Sequence, residues 1–226
     1  MQRAVLLDVD GTLVDSNDAH ANVWVEVLAE FDIQAKFDEV RTRIGKGGDK
    51  MLPEITGLEA DSARGKEISK RRHQLFLSKY LPTLRPLPGA RDLLARLSED
   101  GYRLVVATSA SEEEMNPLLD VVGARPYLYD ATNASDAAHS KPDPDIVDAA
   151  LKKAGVATAA ALFLGDTPYD IEAARKAGVR TVAVRSGGWD DEGLIGAVAV
   201  YDDTAHILRD YESSPFSAQS FSAPSS

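Results

Sequence analysis

Apolar residues in this chain follow two patterns in turn, short continuous runs and runs at helical spacing. The first continuous run, Ala4 to Leu7, is typical of a strand that is buried on both faces of a parallel sheet. After residue 84 the two patterns alternate, and a glycine follows most of the helical stretches. The predicted strands cover residues 103–107, 160–164 and 181–184, and the predicted helices cover residues 90–99, 112–122, 143–154 and 169–177. This alternation predicts an α/β fold with a doubly wound parallel sheet.

The segment after the first strand shows helical spacing only. Apolar residues recur at helical intervals over residues 17–31 and 61–80, and no strand candidate lies between them. Three prolines then break the chain between residues 81 and 88, which marks a boundary. At the other end, the last 14 residues contain seven serines and two prolines. We therefore expect a core domain formed by residues 1–15 and 84–212, an inserted helical domain over residues 16–83, and a disordered tail over residues 213–226.

The charge, the cysteine count and the apolar runs of the sequence disfavour several classes of function. The chain has 226 residues and a formal net charge of −11, which disfavours nucleic acids and anionic membranes as partners. It contains no cysteine, so disulfides, thiolate metal sites and cysteine nucleophiles are excluded. No apolar run approaches the roughly 18 residues of a membrane helix, and Asp8 interrupts the first apolar run too early for a signal peptide. We expect a cytoplasmic protein.

Carboxylates follow two of the predicted strands. Asp8 and Asp10 come directly after the first strand, and Asp166 and Asp170 lie where the strand 160–164 passes into the next helix. Ligands of open α/β sheets bind at the carboxyl ends of the strands, so these side chains are expected to meet there. Oxygen ligands of this kind suit a hard cation such as Mg²⁺. Each pair by itself is also compatible with an ordinary polar turn or helix cap.

Two further segments carry groups that suit a phosphate. Thr108 and Ser109 follow the strand 103–107, where hydroxyls and helix-start amides can bind an anion. Lys141 precedes Pro142 in a stiff loop, and its ammonium is a compact positive charge. Taken singly, the first would be an N-cap and the second a solvated surface lysine. The four segments together make a site for phosphoryl chemistry the stronger interpretation.

In this combination the chain resembles the haloacid dehalogenase-like superfamily of phosphotransferases, in the branch with a helical cap inserted after the first motif. The stretch from Asp8 to Ser16 is similar to the first motif of the family, Thr108 to its second, Lys141 with the following Pro-Asp-Pro to its third, and Gly165 to Asp170 to its fourth. Order and spacing agree from residue 4 to about residue 185. The resemblance is closest to phosphoglycolate phosphatase-like members, because their cap carries a segment similar to residues 43–52. It implies a Rossmann-like core and a cap formed by residues 16–83.

The resemblance also implies a mechanism. Asp8 is expected to attack a phosphoryl group and form an aspartyl phosphate, while Asp10 acts as general acid and then as general base. Mg²⁺ is the implied cofactor, held by the carboxylates of Asp8 and Asp166 and by the main-chain carbonyl of Asp10. Asp170 is expected to orient a metal-bound water or Lys141. Thr108, Ser109 and Lys141 are expected to bind the phosphoryl oxygens. The expected substrate is a small phosphorylated metabolite, with 2-phosphoglycolate among the candidates.

Substrate choice is expected to depend on the cap. His20, Arg43, Lys46 and Lys50 are the candidates for contacting the leaving group, although a solvated helix face would also account for most basic residues of this segment. Sugar phosphomutases of the same branch resemble the chain too, and His20 lies where they carry a cap-hinge histidine. However, Gly48 stands about where those mutases place a phosphate-binding arginine, which disfavours mutase activity.

Two non-enzymatic alternatives remain open. A signalling receiver domain also carries an aspartyl phosphate on a doubly wound sheet, but its phosphorylated Asp lies on a strand in the middle of the chain, whereas Asp8 ends the first strand. A non-catalytic homologue that binds a partner is disfavoured because none of the motif residues is missing. The sequence does not distinguish a monomer from a dimer.

Overall fold

The computed structural model describes residues 2–217. Strands and helices alternate along most of this range, as the apolar pattern predicts. The strands are β1 (Arg3–Leu7), β2 (Tyr102–Ala107), β3 (Leu128–Thr132), β4 (Ala161–Gly165), β5 (Arg180–Val184) and β6 (Ala199–Tyr201). The α-helices are α1 (Asn17–Glu30), α2 (Phe37–Arg41), α3 (Gly48–Thr56), α4 (Ala63–Leu75), α5 (Ala90–Glu99), α6 (Glu112–Val122), α7 (Asp145–Ala154), α8 (Pro168–Lys176) and α9 (Thr204–Arg209).

The six strands form one parallel sheet in the order β3-β2-β1-β4-β5-β6. Strand β1 is central, with Leu6 opposite Val105 of β2 on one side and Phe163 of β4 on the other. The chain leaves β1 toward one half of the sheet and later fills the other half beginning with β4. This arrangement places a ligand crevice at the carboxyl end of β1. The predicted α/β fold with a doubly wound parallel sheet is confirmed.

The apolar run of β1 is explained by helices on both faces of the sheet. Val5 and Leu7 pack in one hydrophobic cluster with residues of α5 and α6, and Ala4 and Leu6 pack in a second cluster with residues of α7 and α8. All four side chains are fully buried. Successive residues of a strand point to opposite faces, so a strand covered on both faces must be apolar at every position.

The segment between β1 and α5 is helical. Val27 of α1 and Ile68 of α4 are fully buried and belong to one cluster, and a π-helical turn, Phe76–Tyr80, continues α4. The bounds of this segment as a separate cap domain, residues 16–83, stay a prediction. None of the helices within residues 2–217 combines the length and the apolar character needed to cross a membrane.

Five elements of the structure were not predicted, and each is short or has an irregular pattern. Helices α2 and α9 have only five and six residues, too few for a clear helical period. Helix α3 contains both Gly48 and Pro53. Strands β3 and β6 are the two edges of the sheet, where one side has no neighbour and continuous apolar character is not required.

The structure corrects the expected start of the disordered tail. Residues 213–217 are packed against the core: the side chain of Phe216 is fully buried, and the Tyr102 hydroxyl donates a 2.6 Å hydrogen bond to the Phe216 carbonyl. The expected tail rested on the serine-rich composition, which gives no weight to one aromatic residue. A single buried phenylalanine is nevertheless enough to hold a short segment against the core. The rest of the predicted tail, residues 218–226, lies outside the described residues.

Candidate active site

The carboxyl ends of three neighbouring strands bring the predicted site residues together. Asp8 directly follows β1, Thr108 follows β2, and Asp166 follows β4. Parallel strands end at the same edge of a sheet, so residues far apart in the sequence meet there. Lys141 enters from the loop that precedes α7, and Asp170 from the first turn of α8.

Lys141 lies at the centre of the site and is 1% exposed. Its Nζ lies 2.7 Å from Oδ1 of Asp8 and 2.8 Å from Oδ1 of Asp170. A buried ammonium is tolerated only when carboxylates compensate its charge, and these two do so. The expected role of Asp170 in orienting Lys141 agrees with this contact.

Asp166 and Asp170 are held by short hydrogen bonds from their surroundings. Oδ1 of Asp166 accepts from the Thr12 hydroxyl at 2.9 Å, and Oδ2 accepts from Nδ2 of Asn17 at 2.9 Å. Oδ2 of Asp170 accepts from the backbone N–H and the hydroxyl of Thr167, at 3.0 and 2.7 Å, in a capping box that starts α8. Both carboxylates are therefore fixed in orientation without any ligand.

The buried charges of this cluster do not balance. Asp8, Asp166 and Asp170 are compensated by the single ammonium of Lys141. Burial, together with the charges of Asp170 and Asp10, raises the pKa of Asp8 to about 7 despite the opposing effect of Lys141. Burial and the charges of Asp170 and Asp8 also raise the pKa of Asp166 well above its ordinary value. Burial would lower the pKa of Lys141, but the two carboxylates outweigh it and raise that pKa.

This imbalance fits a bound divalent cation. One carboxylate oxygen from each of Asp8, Asp166 and Asp170 lies within 4.8 Å of the others, and all three residues are buried. The backbone also approaches closely: a Cβ at Gly11 would lie 2.2 Å from Oδ2 of Asp166, and one at Gly187 would lie 1.9 Å from it. An oxygen-only ligand set with surplus negative charge suits Mg²⁺ rather than zinc. The residues present therefore fit the magnesium ion that the motifs imply.

Asp10 lies apart from this carboxylate group. Its Oδ1 accepts a hydrogen bond from the Ser16 hydroxyl at 2.5 Å and one from Nε2 of His20 at 2.8 Å. Burial would raise the pKa of Asp10, but the contacts with His20 and Ser16 outweigh burial and lower it. Asp8 and Asp10 are thus two residues apart in the sequence, with pKa values shifted in opposite directions. Such a division is typical of a pair of acids with different tasks.

The two hydroxyls after β2 are placed at the mouth of the site. The Thr108 side chain is 1% exposed, and its hydroxyl accepts from the backbone N–H of Ala110. The Ser109 hydroxyl is buried and has no hydrogen-bond partner among residues 2–217. A buried hydroxyl without a partner is costly, so a ligand oxygen at this position would satisfy it. The roles of Thr108 and Ser109 in phosphate binding stay predictions.

Comparison with known proteins agrees with this geometry. The family model described as haloacid dehalogenase-like hydrolase matches residues 5–184, which include all four motif segments. The chain belongs to the haloacid dehalogenase-like hydrolases. This confirms the superfamily resemblance that the motifs indicate.

Individual proteins of known sequence or structure indicate which branch of the family this hydrolase resembles. A phosphoglycolate phosphatase from Rhodospirillum rubrum is 34% identical over 220 residues, covering 92% of this chain and 90% of the relative. The crystal structure of a hydrolase from Pseudomonas syringae superposes with a TM-score of 0.87 at 28% identity, covering 94% of this chain and 99% of that one. A putative β-phosphoglucomutase from Bacteroides vulgatus superposes with a TM-score of 0.81 at 25% identity, covering 93% and 88%.

A cavity of about 470 Å³ separates the catalytic edge of the hydrolase from the helical segment over residues 16–83. Asp8, Asp10 and Thr108 line one end of it. Of the four cap residues expected to contact the leaving group, His20 and Lys46 line the cavity. His20 is buried, stacked on the Phe76 ring with centroids 4.2 Å apart, so it faces Asp10 rather than the open space.

The structure places the other two expected cap residues elsewhere. Arg43 bonds the backbone carbonyl of Glu39 and lies 3.5 Å from a carboxylate oxygen of Glu54. Lys50 forms a 2.5 Å ion pair with Asp143, which follows the Lys141 loop in the core. Neither residue lines the cavity. A cap lysine can pair with the core instead of the ligand, and spacing alone does not distinguish these outcomes.

Sequence reasoning missed an ion pair inside the cavity. Arg72 of α4 donates to both carboxylate oxygens of Glu114 in α6 and also to Nδ1 of His20. A signal was present, since Ile68, Arg72 and Phe76 are spaced four apart and share the inward face of the helix. Arg72 is not among the residues singled out from the sequence, because it lies among other basic residues that a solvated helix face would account for.

Proposed function

We propose that this hydrolase is a Mg²⁺-dependent phosphatase that cleaves small phosphate monoesters through an aspartyl phosphate on Asp8. One observation carries the proposal. At the end of β1, the buried ammonium of Lys141 contacts both Asp8 and Asp170. Asp8 and Asp10 line a cavity there, and their pKa values are shifted in opposite directions, that of Asp8 upward and that of Asp10 downward. The relatives named phosphoglycolate phosphatase support the same reaction class.

In the first half-reaction, an oxygen of the Asp8 carboxylate attacks phosphorus and the bond from phosphorus to the leaving oxygen breaks. The leaving oxygen takes a proton from Asp10. Oδ1 of Asp10 is already held by Ser16 and His20, so Oδ2 is the oxygen that faces the reacting group. The approach of a phosphate dianion raises the pKa of Asp10 by charge repulsion and favours the protonated form that the step needs.

In the second half-reaction, Asp10 takes a proton from a water molecule, whose oxygen attacks phosphorus. The bond to Asp8 breaks and inorganic phosphate leaves, which restores the carboxylate of Asp8 and the protonated form of Asp10 that the next cycle needs. Lys141 remains next to Asp8 throughout and compensates negative charge on the phosphoryl oxygens. Mg²⁺, held by the carboxylates of Asp8 and Asp166 and the carbonyl of Asp10, would neutralise the charge of the transferring phosphoryl group.

Sugar phosphomutase activity is the alternative, since one structural neighbour at 25% identity bears that description. A mutase must hold a second phosphate, which needs a cation in the cap. Gly48 offers no side chain at the start of α3, and its nearest neighbour there is the Trp24 ring. Hydrolysis is therefore the better supported reaction. The cytoplasmic location stays a prediction, supported by the absence of cysteine.

Phosphate release tests the proposal. We would measure it with Mg²⁺ and with chelator on a panel that includes 2-phosphoglycolate and hexose phosphates. Asp8→Asn should abolish turnover, while Asp15→Asn, an exposed residue of the same loop, should retain it. Acid quenching during turnover should trap a phosphorylated peptide that contains Asp8. Near-normal turnover by Asp8→Asn, or turnover without any divalent cation, would contradict the mechanism.

A further inference from the structure

The cavity contains few positive charges that a substrate could use. Within the described part of the chain, its lining includes three permanently basic side chains, Lys46, Lys70 and Arg72. A leaving group with its own carboxylate or phosphate needs one of them unpaired and within reach. The partners of each therefore decide which leaving groups the cavity accepts.

The charge of Arg72 is already neutralised by Glu114. The Arg72 side chain is 14% exposed, and that of Glu114 is 4% exposed. One guanidinium nitrogen lies 2.5 and 2.7 Å from the two carboxylate oxygens of Glu114, and another donates to His20. Burial would raise the pKa of Glu114, but the charge of Arg72 outweighs burial and lowers it, so the carboxylate stays ionised. The pair presents no net charge to a ligand.

The ammonium of Lys46 is also already paired with a carboxylate. Its Nζ lies 2.7 and 2.8 Å from the two carboxylate oxygens of Glu54 and 4.8 Å from the centre of the Tyr169 ring. Withdrawing this ammonium toward a ligand would break both contacts and leave Glu54 with Arg43, 3.5 Å away. Lys46 therefore lines the cavity with its charge already paired to Glu54, rather than as a free cation.

Lys70 is exposed at the rim, and two further acidic residues line the same cavity. Glu113 is one of them; its side chain is 77% exposed, and a carboxylate oxygen lies 2.8 Å from Nε2 of His73. Asp49 lines it as well and accepts a 2.6 Å hydrogen bond from the uncharged hydroxyl of Ser140. The cap end of the cavity thus carries a zero or negative net charge. A second anionic group would find no surplus positive charge there.

The same lining suits hydroxyl groups. Glu114 offers an acceptor, Arg72 offers its buried Nε as a donor, Ser69 offers a hydroxyl, and the Ser109 hydroxyl is buried with no partner among the described residues. The cavity volume of about 470 Å³ leaves room for a polyol leaving group. Hydroxyls donate and accept, so they can satisfy such a mixed lining.

We infer that the cavity selects phosphate monoesters with a neutral, polyhydroxylated leaving group, and that Glu114 enforces this choice by neutralising Arg72. This inference rests on the proposed phosphatase function and names its substrate class. Glu114 is a specificity-determining residue here, placed on α6 of the core and acting across the cavity on a cap arginine.

Matched pairs of substrates test the inference. Glycerol 3-phosphate and 3-phosphoglycerate differ by a hydroxymethyl group against a carboxylate, and glucitol 6-phosphate and 6-phosphogluconate differ in the same way at the far carbon. The leaving oxygen is a primary alcohol in all four. We expect the wild-type protein to favour the neutral member of each pair by about tenfold or more in kcat/KM.

Substitutions then assign the preference to Glu114. Glu114→Gln leaves Arg72 with an uncompensated charge, so the ratio should shift about tenfold toward the carboxylated member, mainly through its KM. Glu112→Gln, the same change at an exposed residue two positions away, should leave the ratio unchanged. In Arg72→Gln with Glu114→Gln the net charge is zero again, and the ratio should return toward the wild-type value. If Glu114→Gln does not fold, the wild-type preference within the matched pairs still tests the inference.

Three results would overturn the inference. The first is a wild-type preference for the carboxylated member of both pairs, and the second is an unchanged ratio in folded Glu114→Gln. The third is a preference for the carboxylated member that Lys70→Gln alone removes. A binding measurement separates this inference from the proposed function. In it, calorimetry compares how tightly the members of each substrate pair bind to Asp8→Asn in the presence of Mg²⁺. Selective binding of the neutral members with no hydrolysis by the wild type would contradict phosphatase activity and support the inference.

Discussion

Replacing Asp8 with Asn should stabilise the metal-free protein while abolishing turnover. The pKa of Asp8 rises from 3.8 in the unfolded chain to about 7 in the folded protein, chiefly because the carboxylate is buried. Between these values the unfolded state releases its proton while the folded state keeps it, so stability falls as the pH rises. At about 1.4 kcal/mol per pKa unit, the loss reaches about 4 kcal/mol above pH 7. Asn does not ionise and avoids this loss.

The assay is urea unfolding of the wild type and of Asp8→Asn in chelator at pH 5 and pH 8. We expect Asp8→Asn to exceed the wild type by about 4 kcal/mol at pH 8 and by less than half of that at pH 5. Asp15→Asn, at an exposed position of the same loop, should change stability little at either pH. Adding Mg²⁺ should stabilise the wild type more than Asp8→Asn, because one metal ligand is lost in the variant.

Two outcomes would refute this reasoning. A metal-free Asp8→Asn protein that is less stable than the wild type at pH 8 would mean that the Lys141 contact outweighs the burial of the carboxylate. A stability gain of the same size at both pH values would mean that ionisation of Asp8 is not its source. Either result would remove the argument that the site carries surplus negative charge.

Three other predictions concern single side chains. Asp10→Asn should lower kcat by about 10²- to 10⁴-fold for alkyl phosphates and less for p-nitrophenyl phosphate, whose leaving group needs no acid; equal losses would contradict the acid role. Lys141→Met should abolish turnover. Urea unfolding of the metal-free variant should show a loss of about 3–5 kcal/mol, because Asp8 and Asp170 lose their buried partner. A loss under about 1 kcal/mol would contradict this role of Lys141. Phe216→Ala should cost about 3–5 kcal/mol by the same measurement, whereas a disordered segment would show no effect.

Much of the fold follows from the apolar pattern because the central strands are covered on both sides. A strand such as β1, packed between two layers of helices, must be apolar at each position, and this leaves a continuous run that the sequence displays. The edge strand β3 is under no such requirement, and Tyr129 within it is 54% exposed. Short helices such as α2 carry too few residues to establish a period. These elements were missed for that reason.

The catalytic edge was predictable for a topological reason. Parallel strands end at one edge of the sheet, so polar residues directly after β1, β2 and β4 had to approach one another once the strands were recognised. Asp8, Thr108 and Asp166 needed only their place after a strand. Lys141 needed its loop as well, and its burial between two carboxylates could not be inferred from a flexible side chain in a polar segment.

By itself, the sequence determined the sheet, the helical segment and the group of residues around Asp8, since each depends on local pattern or on strand ends. Only the tertiary structure decided how the charges of the cap are paired. Lys50 bonds to Asp143, and Arg72 bonds to Glu114, which lies 42 residues away on another helix. Long charged side chains have many rotamers of similar energy, so packing between elements, rather than their spacing, selects the partner. The identity of these partners determines which charges remain for a substrate.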